Sequence, residues 1–428
     1  SLVSVFMDDN ICRKEPDMAI IRSFGAYRPR TDIVDRVAAL PYDVYNREEA
    51  YEEVKREPMS FLKVDRAETS FGPEVDTYAD CVYDKARELL DGMIDEGVYV
   101  HDDKDVYYVY ELIMDGRHQT GLVACASIDD YVSGVIKKHE NTREDKEIDR
   151  IKHVMTCSAH TGPIFLAYRS IDKVNKIINR VKTGEKLYGF TTPDSITHNV
   201  WIIDQDKDIE DIREAFAGVN EIYIADGHHR SASAVKAGLK LREENPGYTG
   251  DEEFNYFLSV LFPHDELMIL PYNRVVRDLN GYSEDGFMNA VKEKFTIDKV
   301  EEPFAPENKC EFGMYMDHKW YRLGFKKEFM VDDVVERLDV SVLQNNLLTP
   351  ILGIGDPRTD KRITFVGGIR GLSELSKMVD SGMYKVAFSM YPTSITELFD
   401  IADAGRLMPP KSTWFEPKLR SGIFIHRF

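Results

Sequence analysis

Glu221-Ile222-Tyr223-Ile224-Ala225-Asp226-Gly227-His228-His229-Arg230-Ser231 is the stretch from which the fold is best read. A short apolar run with β-favouring residues enters Asp-Gly, and the pattern from Ala232 to Leu241 is helical. A strand, a glycine turn and a helix N-terminus in succession aim free backbone N–H groups and a favourable dipole at one point, so the stretch predicts an anion pocket. Gly227 lets the chain turn tightly and approach a phosphate. Arg230 adds a planar fork of donors, His228 and His229 add further ones, and Asp226 can orient a hydroxyl or accept its proton. Two other readings stay open. One is a zinc pair at His228-His229, although adjacent helical residues point about 100° apart; the other is a solvated helix cap.

Upstream, Asn199 to Ile203, Ile209 to Ala217 and Glu221 to Ala225 read as strand, helix, strand, and Pro163 to Tyr168 and Asp172 to Val181 as a buried strand and a helix. Val106 to Met114 and Gln119 to Ser127, rich in Tyr and Val, flank Asp115-Gly116 and predict a β-hairpin. The Tyr107, Tyr108, Tyr110 stripe fits core better than a base-stacking platform. A glycine-interrupted strand at Val135-Ile136 leads to His139-Glu140-Asn141-Thr142 and a charged helix from about Arg143, for which Asn141 or Thr142 is a natural cap. Helices are also predicted over Arg47 to Arg56 and Tyr78 to Asp95, and a second hairpin turns near Asp317-His318. The alternation argues for a mixed α/β sheet.

The chain has 428 residues, enough for more than one packed lobe. Residues 1–18 read as a polar leader, 19–250 as one lobe and 251–428 as a second, with a soft boundary between them. Acidic residues outnumber basic ones, 75 to 55, for a formal charge of -20, and no long Lys/Arg run offsets it, so nucleic acid is disfavoured as a partner. A small anion held by a few positioned donors is compatible with that field. Five scattered cysteines without a Cys-x-x-Cys pair predict reduced, mostly buried thiols. No apolar run approaches the roughly 20 residues that span a bilayer, and no signal peptide is evident, so the expected setting is the cytoplasm.

The stretch from Gly405 to Pro410-Lys411-Ser412 imitates a Walker A loop, but Pro410 stands where that loop needs glycine and has no N–H to offer. Lys411 is left with two readings, a charge reaching into the site from the C-terminal lobe or an ordinary surface lysine.

Asp-Gly-His-His-Arg followed by small residues resembles the phosphate-binding motif of the ParB and sulfiredoxin superfamily, most closely its free-serine kinase branch. A longer likeness is to the bacterial domain-of-unknown-function family 1015. It runs through Ala39 to Val44, His139 to Thr142 with Asp149-Arg150, Pro163 to Leu166, Ile224 to Arg230, and Asp403 to Gly405 on to Met408 through Thr413. The resemblance implies a ParB/sulfiredoxin-like nucleotide-binding core elaborated with a C-terminal lobe. It implies Glu140, beside His139, as the carboxylate that activates a substrate hydroxyl, with Asp226 as the second catalytic carboxylate. Gly227, His228, His229, Arg230 and Ser231, joined by His139, Thr142 and Lys411, are implied as nucleotide and substrate contacts. ATP or ADP is the implied cofactor, and Mg²⁺ follows from the reaction class, no metal ligands being assignable. The chain is much longer than such a kinase, and Glu140 lies far upstream of Asp226, which leaves the acceptor open. The expected function is therefore phosphoryl transfer to a small hydroxyl compound such as free serine. The alternative is a ParB-like nucleotide switch without an acceptor, for which a homodimer is expected.

Overall fold

A computed structural model describes residues 18–428, so the expected leader lies almost entirely outside the described residues. Nine strands form the larger sheet: β1 (Ile21–Arg22), β2 (Tyr107–Met114), β3 (Arg117–Ser127), β4 (Ile136–Lys137), β5 (Ile164–Tyr168), β6 (Tyr188–Thr191), β7 (Thr197–Ile203), β8 (Ile222–Asp226) and β9 (Tyr256–Pro263). Their order is β4-β8-β5-β9-β3-β2-β7-β6, with β1 also on β3. The sheet is mixed: β4 with β8 and β5 with β9 are parallel, and the remaining pairs are antiparallel. Asp115 (φ 51°) and Gly116 (φ 75°) make the β2–β3 turn left-handed at both positions, as a tight two-residue hairpin requires.

Six antiparallel strands form a second sheet, β10 (Tyr272–Val276), β11 (Phe295–Val300), β12 (Glu311–Met316), β13 (Lys319–Phe325), β14 (Ile363–Gly367) and β15 (Val386–Ser389), ordered β11-β13-β12-β15-β10-β14. The β12–β13 turn carries Asp317 and His318, both at positive φ (49° and 58°). β9, which ends at Pro263, belongs to the larger sheet, and the second sheet begins with β10 at Tyr272.

The helices that matter for the site are α1 (Asp80–Asp95), α2 (Glu144–Cys157), α3 (Asp172–Val181), α4 (Asp206–Ala217), α5 (His228–Glu244) and α6 (Ile395–Asp403). On one face of the larger sheet, Ile164, Leu166 and Tyr168 pack with Val174, Ile178, Ile212 and Phe216 of α3 and α4 and with Val235 of α5. On the other face, Phe165, Ala167, Tyr223 and Ala225 pack under residues of the C-terminal half, including Phe399, Phe415, Leu419 and Phe424. Coverage of both faces explains why Tyr107, Tyr108 and Tyr110 are all fully buried and why β2 shows no polar alternation. The expected Asn141 or Thr142 cap on α2 is not formed: Arg143 occupies the N-cap position without a side-chain bond, and the Thr142 hydroxyl donates to Glu147 instead.

The tail pairs with chain far upstream of it. Trp414-Phe415 pairs with Ile269-Leu270, and His426-Arg427 pairs with Ala159-His160. Ile423 to Ile425 is buried chain with a single bridge from Ile425 to Tyr27, and the two-residue strand follows it. No helix among the described residues is long and apolar enough to cross a membrane. Of the described cysteines, all free, Cys125 and Cys157 are buried and Cys81 is exposed.

Candidate functional site

The site grows from the carboxyl ends of two adjacent strands. β8 ends at Asp226 after a register shift between Ile224 and Asp226, and Gly227 then takes φ +87°, a conformation that favours glycine, before α5 begins at His228. The Ser231 N–H bonds the Gly227 carbonyl at 2.9 Å, so the amides ahead of it belong to the open N-terminus of a 17-residue helix. The Gly227 N–H itself donates to Asp226 Oδ1 at 2.8 Å. Because β4 runs parallel to β8, the chain leaving β4 emerges on the same side, and this brings Glu140 to the turn.

The two histidines of α5 fasten that second segment. The backbone N–H of His139 donates to His228 Nε2 (3.4 Å), and that of Arg143 donates to His229 Nε2 (3.1 Å). Glu140 lies between these two pins. Accepting at Nε2 requires a neutral ring protonated at Nδ1. Burial holds His228 neutral, with its pKa pushed down to about 4 although Asp226 pulls it upward, and burial lowers His229 too. His139 is wholly buried, edge-on to His228 with centroids 4.4 Å apart. Neither of its ring nitrogens has a hydrogen bond among the described residues, Nε2 standing 4.0 Å from Glu140 Oε1, and burial, reinforced by His228, keeps it far less basic than an ordinary histidine.

The C-terminal tail closes the third side. The Met408 N–H donates to the His139 carbonyl (2.8 Å), and Lys418 Nζ reaches Asp226 Oδ2 at 3.2 Å. Lys411, exposed and at φ +61°, places its charge where Glu140 feels it. The two carboxyl groups therefore differ. Burial, then the Asp226 charge, raises Glu140 to about 7 against the opposing pull of Lys411 and Lys418. Burial also works to raise Asp226, but Lys418 and Arg230 overcome it and hold that pKa at about 2. Both side chains remain about a third exposed, 36% and 39%, so they line an open mouth.

Arg230 folds back over the turn. Its Nη2 lies 3.2 Å from where a Cβ on Gly227 would sit, and its Nη1 donates to the Pro163 carbonyl at 3.2 Å. Beyond it, Arg150 is buried, stacked 4.0 Å over the Tyr42 ring and bonded to Asp149 at 2.9 Å. Of the residues expected at the site, His139, Glu140, Asp226, Gly227, His228, His229, Arg230 and Lys411 converge. Thr142 and Ser231 do not: the Thr142 hydroxyl is taken by Glu147, and Ser231 is fully buried and donates to the His228 carbonyl at 3.0 Å. Lys418 carried no signal in the sequence. Tyr42 and Arg150 stood inside stretches already singled out, but nothing local marked them as neighbours of Arg230. Among the described residues no group of three or more His, Cys, Asp or Glu side chains is placed to hold a metal, and the Nε2 atoms of His228 and His229 accept from two different backbone amides.

The sequence profile of a family described as "Protein of unknown function (DUF1015)" matches residues 21–341. The chain belongs to this family. The match ends before the Asp403 to Thr413 stretch, so the tail's share of the site lies outside it. A search of curated proteins gave no match. Among solved structures, a free serine kinase in complex with AMP is similar at 14% identity and a TM-score of 0.33, over 75% of this chain and 93% of that one. A conserved hypothetical protein from Pyrococcus furiosus is 15% identical with a TM-score of 0.33, over 71% and 94%. SbnI with a C-terminal truncation, from Staphylococcus aureus, is 11% identical with a TM-score of 0.34, over 69% and 82%. At these TM-scores the superpositions carry no argument about the site.

Proposed function

We propose that this chain binds a nucleoside triphosphate or diphosphate with its phosphates over the β8–α5 turn and transfers a phosphoryl group to a small hydroxyl compound. The observation that carries the reading is geometric: Glu140 and Asp226 open at one mouth beside the Gly227 turn, the start of α5, Arg230 and Lys418, and their surroundings push Glu140 up to about 7 and hold Asp226 at about 2. Paired titratable groups whose environments push their pKa values apart mark an acid/base division of labour. At neutral pH Glu140 exchanges a proton readily, the property a base for an acceptor hydroxyl needs, whereas Asp226 stays ionised.

The open amides of α5, the Arg230 fork and the Lys411 and Lys418 ammonium groups supply the positive field that phosphoryl transfer requires. His228 and His229 act one step back, pinning the backbone on either side of Glu140. Mg²⁺ is ordinarily held by one or two carboxylates plus phosphate oxygens, and Asp226 supplies one such carboxylate while Glu140 is left free as the base. The ion, when bound, would neutralise phosphate charge. Free serine is one acceptor to test among small hydroxyl compounds.

Incubation with ATP or ADP, Mg²⁺ and a panel of hydroxyl amino acids, sugars and polyols, read by ³¹P NMR, tests the proposal. A phosphorylated acceptor is expected, with Glu140→Gln lowering kcat by about 10²–10⁴ while nucleotide binding persists. Binding without a product from any acceptor would favour a nucleotide switch. Absence of nucleotide binding would overturn both.

A further inference from the structure

Arg230 lies between two regions. On one side it approaches Gly227, and its charge acts on Asp226. On the other it lines a small cavity of about 30 Å³ together with Tyr42, Asp65, Arg150, Thr161 and Gly162. A larger cleft of about 210 Å³ adjoins this cavity, shares Tyr42, Asp65, Arg150 and His153 with it, and adds Tyr45, Tyr78 and Tyr83. Neither Glu140, Asp226, Lys411 nor Lys418 lines either space. A phosphate chain crossing Arg230 thus has its reacting end at the carboxyl pair and its other end directed past Arg150 into the cleft.

Most of the charge in the cleft is already matched. Arg66 pairs with Glu68 at 2.6 Å and donates to the carbonyls of Tyr42 and Tyr45, Arg150 pairs with Asp149, and the Tyr83 hydroxyl donates to Asp149 at 2.6 Å. Asp65 is different. It is 5% exposed, its Oδ1 accepts from the Thr161 hydroxyl at 2.8 Å and lies 3.8 Å from His153 Nε2, and its Oδ2 has no hydrogen bond among the described residues. A carboxylate oxygen that lines a cavity without a hydrogen bond is open to a donor on whatever enters. Of the tyrosines that line the cleft, Tyr78 is 59% exposed and Tyr45, packed against the cluster of Phe61 and Leu62, is half-buried, so both offer aromatic surface to the cleft.

We propose that this cleft holds the nucleoside half of the nucleotide, the sugar hydroxyls donating to Asp65 and the base lying against the Tyr78 and Tyr45 side. The inference rests on the phosphate-binding reading above. An acceptor is excluded from the cleft by position, because the acceptor hydroxyl must meet Glu140. A free carboxylate oxygen suits vicinal hydroxyls, and a tyrosine wall suits any planar base.

The test uses the full chain and titration calorimetry with ADP, 2′,3′-dideoxy-ADP and inorganic tripolyphosphate. Wild type is expected to bind ADP more tightly than the dideoxy compound. Tyr78→Ala, a change at an exposed ring, is expected to weaken ADP about tenfold and leave tripolyphosphate unchanged. Asp65→Asn retains an oxygen for Thr161 and is expected to abolish the preference for ADP over dideoxy-ADP. Equal loss for ADP and tripolyphosphate in Tyr78→Ala, or no loss for either, would overturn the cleft assignment. So would tripolyphosphate binding to wild type as tightly as ADP, with the phosphate site left standing. Failure of wild type to bind tripolyphosphate and ADP alike would overturn the phosphate reading itself.

Discussion

The difference between Glu140 and Asp226 predicts a pH profile. With Glu140 at about 7, roughly one eleventh of it is ionised at pH 6 and roughly ten elevenths at pH 8, so kcat/KM is expected to rise about tenfold across that interval. A glutamate of ordinary pKa, 4.5, would be almost fully ionised at both ends and the profile would be flat. Asp226, lowered to about 2, is ionised throughout and adds no limb there. The two groups also act oppositely on stability. The raised Glu140 favours folding fully below about 4.5, and that contribution is lost as pH rises through 7; the lowered Asp226 favours folding above 3.8, and its contribution is lost as pH falls through 2. Lys418→Met removes a charge that lowers both groups, so the limb is expected to move to higher pH, while Asp226 remains ionised above pH 6. The assay is initial rate against pH from 5.5 to 9 at constant ionic strength. A flat profile between pH 6 and 8, or a limb that moves down in Lys418→Met, would refute the role given to Glu140.

Two further outcomes follow from particular contacts. Gly227→Ala forces an alanine into φ +87° and sets its Cβ 3.2 Å from Arg230 Nη2; we expect about 1–2 kcal/mol lost in urea unfolding and tripolyphosphate affinity reduced at least about tenfold by calorimetry. Unchanged affinity would mean that Arg230 does not contact phosphate. Tyr223→Phe removes a buried hydroxyl that accepts from Arg169 and donates to Asp403, each at 2.6 Å, and is expected to cost about 1–3 kcal/mol in the same unfolding assay. An unchanged urea midpoint would show that this contact between the lobes contributes nothing.

Much of the fold was legible because local signals and tertiary burial agree. The Arg47–Arg56 helix and the Asp172–Val181 helix fall where the pattern placed them, and both hairpin turns carry the left-handed residues that Asp115-Gly116 and Asp317-His318 suggested. The site was legible in its members and less so in their roles. His228 and His229 read as phosphate donors because histidine near a helix start can donate; only the parallel pairing of β4 with β8 shows that their Nε2 atoms face backbone amides. The α2 cap was misplaced because the Thr142 hydroxyl has a stronger partner in the Glu147 carboxylate, which also takes Lys236. Lys418 was invisible because its contact with Asp226 depends on a tail that crosses between the lobes.

A cluster of ion pairs and stacked rings ties the C-terminal half of the chain to the larger sheet. At the edge of the larger sheet, Lys137 pairs with Glu221 and Asp403, Arg169 pairs with the same two carboxylates, and Tyr223 stacks on Phe399 with ring centroids 3.8 Å apart. Asp403 and Phe399 belong to α6, whereas Lys137 ends β4 and Tyr223 lies within β8. The cluster therefore joins the C-terminal lobe to the two strands whose ends deliver Glu140 and Asp226. Five residues after Asp403 the chain bonds the His139 carbonyl through the Met408 N–H, and it continues past Lys411 to Lys418. Burial raises both carboxyl groups, and it is Lys418 of the tail together with Arg230 of α5 that holds Asp226 low, whereas Lys411 and Lys418 only temper the rise of Glu140. The asymmetry between Glu140 and Asp226, and with it the proposed division of labour, therefore depends on α5 and the C-terminal tail together.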